Sequence, residues 1–228
     1  MRSIKTATAL VSVGTAALSD AMDKSGAMDH SMRCMSGNAR MAGEAFTVRI
    51  HTADILMVAQ ALSECGKGDV LVIDGRGELN TALWGELTTL AAHRKGLAGV
   101  VIDGAVRDIA AIRRSPLPVF ARAVVPNAGG AEYLGELNVP VQCGGQVIHP
   151  RDWVVGDDDG VVVVPAVQVS HVQERAKQIV QAEKELEQKI RKGADLGRLL
   201  RTHEVIERKQ SEVFIPQLRS ATRRQRSS

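Results

Sequence analysis

The chain has 228 residues, with 29 Lys and Arg against 26 Asp and Glu, 44% hydrophobic and 24% charged residues; these proportions suit one folded domain with an appendage and exclude a disordered, collagen-like or coiled-coil chain. Aromatic residues make up only 3%, so stacking platforms for single-stranded nucleic acid are scarce and nucleic acid is not an expected partner. Charge is uneven, since residues 1–170 carry 15 basic and 18 acidic side chains while residues 171–228 carry 14 and 8, which makes the end, with Arg223-Arg224-Gln225-Arg226, a solvated basic terminus on the simplest reading.

In chain order, Ala7 to Leu18 behind Arg2 and Lys5 loosely imitates a signal peptide. It is poor in Leu and interrupted by Ser12 and Gly14, so it reads as part of the fold, with Ser19-Asp20 starting another helical turn. Phe46 to Ile50 predicts a strand and Ala53 to Ser63 a helix. Gly68-Asp69-Val70-Leu71-Val72-Ile73-Asp74-Gly75 is an unbroken apolar strand between turn signals, followed by a helical stretch from about Asn80 to Arg94. Gly99 to Gly104 repeats the pattern with the same Ile-Asp-Gly ending, before a short helical run from Val106 to Arg113. Two strand-then-helix units predict parallel βαβ pairing, because strands buried on both faces lose the polar alternation.

After Pro116 and Pro118 the chain turns β-rich, with strands expected at Val119 to Val125, Val139 to Cys143, Trp153 to Val155 and Val161 to Val164. Asp157-Asp158-Asp159-Gly160 lacks the ligand spacing of a calcium loop and fits a hairpin turn. From Ala166 to about Glu207 the pattern is helical and charged, broken at Gly193 and Gly197. The expected organisation is a domain over residues 1–165 and a helical arm with a basic tail over 166–228. Cys34, Cys65 and Cys143 are odd in number and have no C-x-x-C spacing, which points to a reducing, cytoplasmic setting. No apolar run approaches the ~18 residues that cross a bilayer, so no membrane partner is expected.

Ligands favour the loops that follow parallel strands. Gly75-Arg76-Gly77-Glu78 begins like a dinucleotide fingerprint but has Asn80 where the third glycine belongs, and is rejected. Gly85-Glu86-Leu87-Thr88 places a glycine in a helical pattern, either for packing or because something must come close. Asp103-Gly104-Ala105-Val106-Arg107-Asp108 follows a buried strand. There an Arg-Asp neighbour pair is either a surface ion pair or a division of labour, the guanidinium taking a carboxylate and the Asp a hard cation that keeps its waters. His51, His93 and His149 are scattered, and Cys143 reads as a small buried residue. A Schiff-base lysine is not expected, since the body offers only Lys5, Lys24, Lys67 and Lys95.

Ser19-Asp20-Ala21, Gly68 to Val72, Gly85-Glu86-Leu87, Asp103 to Asp108, Val139-Pro140-Val141 and Asp158 to Pro165 together resemble the family of 4-hydroxy-4-methyl-2-oxoglutarate and 4-carboxy-4-hydroxy-2-oxoadipate aldolases and the related regulators of ribonuclease E activity. The resemblance implies an α/β chain with a swivelling β/β/α domain, a homotrimer or homohexamer, and sites near subunit boundaries. It also implies that Gly85, Glu86, Leu87, Thr88 and Arg107 bind the pyruvyl part of an oxoacid, that Arg107 and Glu86 are catalytic, and that Asp108 serves a divalent cation, Mg²⁺ or Mn²⁺. The activity implied is retro-aldol release of pyruvate with oxaloacetate decarboxylation beside it. The alternative is a protein-binding regulator without catalysis.

Overall fold

The computed structural model describes residues 2–211. The chain divides into two compact units at Ile179/Val180. The first begins with α1 (Arg2–Ala21), β1 (Arg33–Cys34), β2 (Met41–Arg49) and α2 (Leu56–Glu64). Two strand-then-helix units follow, β3 (Val70–Trp84) with α3 (Glu86–Lys95) and β4 (Gly99–Val106) with α4 (Ile109–Arg114). The remainder is β-rich as expected: β5 (Val119–Ala121), β6 (Ala123–Val124), β7 (Glu136–Leu137), β8 (Val141–Cys143), β9 (Gln146–Ile148), β10 (Trp153–Asp157) and β11 (Gly160–Val164).

The main sheet runs β1-β5-β4-β3-β2-β10-β11, with β6 on β4 and β7 on β2. Strands β2, β3, β4 and β5 pair in parallel, and Asp157 to Gly160 closes the antiparallel β10–β11 hairpin. Alternate residues of the parallel strands feed two cores. Phe46, Val48, Leu71, Ile73, Val100, Ile102 and Val119 pack with Val58 and Ala61 of α2, Ala92 of α3 and Ile112 of α4. Ala45, Val70, Val72, Val101 and Phe120 pack with Val141, Cys143 and Ile148 of the β8–β9 hairpin. Helices on one face and a hairpin on the other make the expected β/β/α layering, and burial on both faces is why these strands read as unbroken apolar runs.

Several local expectations need correction. The helix expected from Asn80 starts only at Glu86, because Asn80 to Trp84 continue β3 past three register shifts. Ala82 there donates to the Asn127 carbonyl (2.8 Å) and accepts from Gly129 (3.2 Å), so strand bonding from a distant segment overrides the local helical pattern. Val106 ends β4 rather than starting a helix, and α4 begins after Asp108. Ser19-Asp20 lie in the last turn of α1; the break comes earlier, at Gly14 (φ 81°), where Asp157 accepts from the Thr15 amide at 2.8 Å. Leu10 and Leu18 are fully buried, so this segment belongs to the fold. The strand expected over Val119 to Val125 is split at Arg122, and Gly197 lies inside a short helix rather than breaking one.

The arm starts with α5 (Val169–Arg191), whose first turns bury Val172 and Ala176 and pair Arg175 with Asp23 at 2.6 Å. The second unit, from Val180, holds the rest of α5, a turn at Gly193 (φ 89°) and α6 (Leu196–Leu199), capped by Asp195, which accepts from the Arg198 amide at 2.8 Å. The basic run Arg223 to Arg226 lies outside the described residues. Among them, no helix is long and apolar enough to cross a membrane.

Candidate functional site

The ends of β3 and β4 meet at one corner. The Arg107 amide donates to the Trp84 carbonyl (2.9 Å), which ties the exit of β4 to the last residue of β3. Gly85 then caps α3: its amide donates to Thr88 Oγ1 (3.0 Å), and its carbonyl accepts from the hydroxyls of Thr88 (3.0 Å) and Thr89 (2.7 Å). Trp84 Nε1 donates to Thr89 Oγ1 at 2.7 Å, fixing the first turn from below. Glu86 and Leu87 are left exposed on that turn, beside the positive end of the helix dipole.

Asp108 reaches back across the corner and accepts from the Glu86 amide at 3.1 Å through Oδ2. Its backbone is left-handed (φ 56°, ψ 39°), a conformation rare outside glycine that redirects the chain into α4. Arg107 Nε lies 3.7 Å from the same oxygen, and the two side chains are 44% and 42% exposed, so the pair is loose and wet. A Cβ on Gly85 would fall 2.6 Å from Asp108 Oδ2 and 3.2 Å from Arg107 Cγ. Its backbone is extended (φ −160°), open to any residue, so a side chain there would act by pushing the exposed Asp108 carboxylate aside.

Arg107, Asp108 and Glu86 line an open groove of about 590 Å³, closed on its other sides by Ile109, Ala110, Ala111, Arg114, Val124, Val125 and Pro126. Gly85 and Thr88 stand at its edge through their contacts with Asp108 and with each other, and Leu87 is 79% exposed. All six residues singled out in the sequence thus fall on one corner. For a cation, Asp108 Oδ1 carries no hydrogen bond from the described residues. No group of three His, Cys, Asp or Glu able to cage an ion occurs among them. One open carboxylate oxygen suits Mg²⁺ or Mn²⁺ retaining most of its waters, and does not suit calcium.

Other candidates stay apart. His51 stacks on Tyr133 with ring centroids 4.4 Å apart, His93 sits in the last turn of α3, and His149 follows β9. Lys95 Nζ donates to the carbonyls of Leu62 (2.7 Å) and Ser63 (2.5 Å), which leaves it no role as an amine nucleophile. A larger opening of about 670 Å³ includes Met22, His149, Asp152 and Gln168, but the oxygens of Asp152 already accept from the amides of His149 and Ala166 (both 2.9 Å).

A second charged constellation had no recognised role in the sequence. Asp103, 1% exposed, forms an ion pair with Arg122 Nε and accepts from the Gly144 amide at 3.0 Å. The Asp103 hydrogen bond pushes the Arg122 guanidinium further up. Asp74, the equivalent residue of β3, accepts from the Gln142 amide at 3.3 Å. The two Ile-Asp-Gly endings therefore grip Gln142 in β8 and Gly144 just past its end. Cys143 between them is fully buried, and burial, then the charges of Asp103 and Asp74, push its thiol well up, so it is inert as a nucleophile. The repeated Asp-Gly was the only hint of this arrangement; the partner Arg122 and the hairpin are remote in sequence.

The family model described as RraA-like, Aldolase/RraA, matches residues 15–163. A Halalkalibacterium halodurans protein provisionally named as a 4-hydroxy-4-methyl-2-oxoglutarate aldolase is 38% identical over 165 residues, 72% of this chain and 79% of its own. The 4-hydroxy-4-methyl-2-oxoglutarate aldolase of Thermus thermophilus is 37% identical over 66% of this chain and 92% of its own. The solved structure of the RNA-processing inhibitor RraA, also from Thermus thermophilus, superposes with a TM-score of 0.63 at 37% identity, covering 67% of this chain and 92% of that one.

Proposed function

The chain belongs to the aldolase/RraA family, and on that premise we propose that it is a divalent-metal-dependent aldolase cleaving a 4-hydroxy-2-oxo diacid, 4-hydroxy-4-methyl-2-oxoglutarate or 4-carboxy-4-hydroxy-2-oxoadipate, to pyruvate and a second oxoacid. The observation that carries the reading is the clearance at Gly85, which lets the start of α3, Arg107 and the open carboxylate of Asp108 share one corner. The Thermus relative named for this activity supports it. In this reading the protein acts as a homotrimer or homohexamer in the cytoplasm.

Asp108 would hold Mg²⁺ or Mn²⁺ through its free oxygen. When bound, the cation supplies Lewis-acid polarisation of the 2-oxo group. The guanidinium of Arg107 takes the pyruvyl carboxylate and balances charge as it spreads toward the enolate. The first turn of α3, Gly85 to Thr88, orients the pyruvyl group at the helix N-terminus. Glu86, exposed on that turn, accepts the C4 hydroxyl proton. The electron pair of the C3–C4 bond moves to the pyruvyl fragment, C4 becomes the carbonyl of the departing product, and the enolate is protonated at C3. Loss of CO₂ from oxaloacetate yields the same enolate, so decarboxylation accompanies aldol cleavage.

The test is pyruvate release from both diacids, with and without Mg²⁺, in the wild type and in Asp108→Asn. Metal-dependent release that the variant loses supports the proposal. Absence of release from both diacids would overturn it in favour of a binding regulator without catalysis, the reading favoured by the likeness to the RNA-processing inhibitor. Inhibition of a ribonuclease E-type enzyme by the purified chain would then be the assay.

A further inference from the structure

We propose that Arg114 selects dicarboxylate substrates by binding the carboxylate remote from the pyruvyl group, an inference that rests on the aldolase reading and assigns the other end of the same groove. Arg114 closes α4 and lines the groove together with Arg107. It is exposed and makes no hydrogen bond or ion pair with any described residue. Glu86 lines the groove too yet forms no ion pair with it. An arginine free of partners beside an acid, in a groove that already presents one guanidinium, is a vacant carboxylate fork.

The helix prepares this placement. Ala110 and Ala111 precede Arg114 by four and three residues and also line the groove, so the three share one face of α4 while Ile112 points into the core. The two alanines leave the space between Arg107 and Arg114 clear. Arg107 precedes α4 and Arg114 ends it, so their backbones are set apart by the helix, which rises roughly 7–8 Å from Ile109 to Arg114, and each of the two long side chains can take one carboxylate of a five-carbon diacid. Val124, Val125 and Pro126 also line the groove and offer apolar contact to a carbon chain held in it.

The test uses two five-carbon ligands that differ only at C5, 2-oxoglutarate and 2-oxopentanoate, titrated by calorimetry into the full-length protein with Mg²⁺. Wild type is expected to bind the diacid about tenfold or more tightly than the monoacid, the worth of one charge-assisted contact. Arg114→Gln is expected to bring the two affinities within about twofold of each other, with an unchanged circular dichroism spectrum, whereas Arg107→Gln loses both ligands. A wild type without preference for the diacid, or an Arg114→Gln variant that keeps it, overturns the role of Arg114 while leaving the aldolase reading intact. Failure of the wild type to bind either ligand, together with no pyruvate release from the diacids, removes the aldolase reading and this inference with it.

Discussion

Two Arg–Asp pairs flank the exit of β4 and have opposite designs. Asp103 and Arg122 are 2% and 19% exposed in their side chains, and the Asp103 oxygens are taken by the guanidinium and by the Gly144 amide. Asp108 and Arg107 are about half exposed, 3.7 Å apart, and leave one carboxylate oxygen open. A saturated, dehydrated pair has no free valence for a ligand and fastens the β8–β9 hairpin to the sheet. A loose, hydrated pair contributes little to stability and keeps its charges for something else. Burial and open valence, more than residue type, separate the structural pair from the candidate functional one.

The largest expected effect breaks the buried pair. Arg122→Met strips the buried Asp103 carboxyl of its cation, and the expected loss is about 3–5 kcal/mol of unfolding free energy, measured by the midpoint of urea denaturation. A loss under about 1 kcal/mol would show that the pair is no more structural than its exposed counterpart.

Next is the exposed pair. Arg107→Lys keeps the charge and loses the planar fork, and kcat/KM for aldol cleavage and for oxaloacetate decarboxylation is expected to fall together by about 10²–10³. The melting temperature should stay within a degree or two, roughly what an exposed pair of about 0–1 kcal/mol allows. Wild-type kinetics on both substrates would remove Arg107 from the chemistry.

Gly85→Ala probes how closely the corner is set. The new methyl meets Asp108 Oδ2 at 2.6 Å without backbone strain, so the carboxylate must move. A displacement of this kind is expected to cost about 10- to 10²-fold in kcat/KM and to raise the Mg²⁺ concentration for half-maximal rate. An unchanged Mg²⁺ requirement would mean that Asp108 does not serve the cation.

The smallest effect concerns Asp54, a buried acid held by amides rather than by a cation. Burial raises its carboxyl, but hydrogen bonds from the amides of Glu132, Leu56 and Tyr133 outweigh this and leave it below the ordinary range. A depressed carboxyl stabilises the fold fully above the unfolded value of about 4 and loses that contribution as pH falls through the folded value. Asp54→Asn is therefore expected to cost about 1–2 kcal/mol at pH 6, with the gap to wild type closing below about pH 4 in thermal melts. A gap independent of pH would show that the charge at Asp54 contributes nothing.

The sequence by itself determined the α/β class, the two parallel strand-then-helix units and the residues of the corner. Val70 to Ile73 and Gly99 to Ile102 are buried from both sides, and a strand covered on both faces announces itself as an unbroken apolar run. The grouping of Gly85 to Thr88 with Arg107 and Asp108 was implied by the family resemblance alone, since the local pattern placed Gly85 inside a helix from Asn80; the structure joins them because β3 runs on to Trp84, so that each segment directly follows one of two adjacent parallel strands. Tertiary structure alone decided the rest. Asn80 to Trp84 are strand because Asn127 and Gly129 supply hydrogen bonds that no local pattern encodes. Asp103 is structural because Arg122 and Gly144 close around it, and Arg114 lines the groove at the end of an α4 that starts three residues later than periodicity suggests. In each case the deciding partner lies far along the chain or depends on where an element begins, and a hydrogen bond or a helix face becomes definite only when both ends are placed.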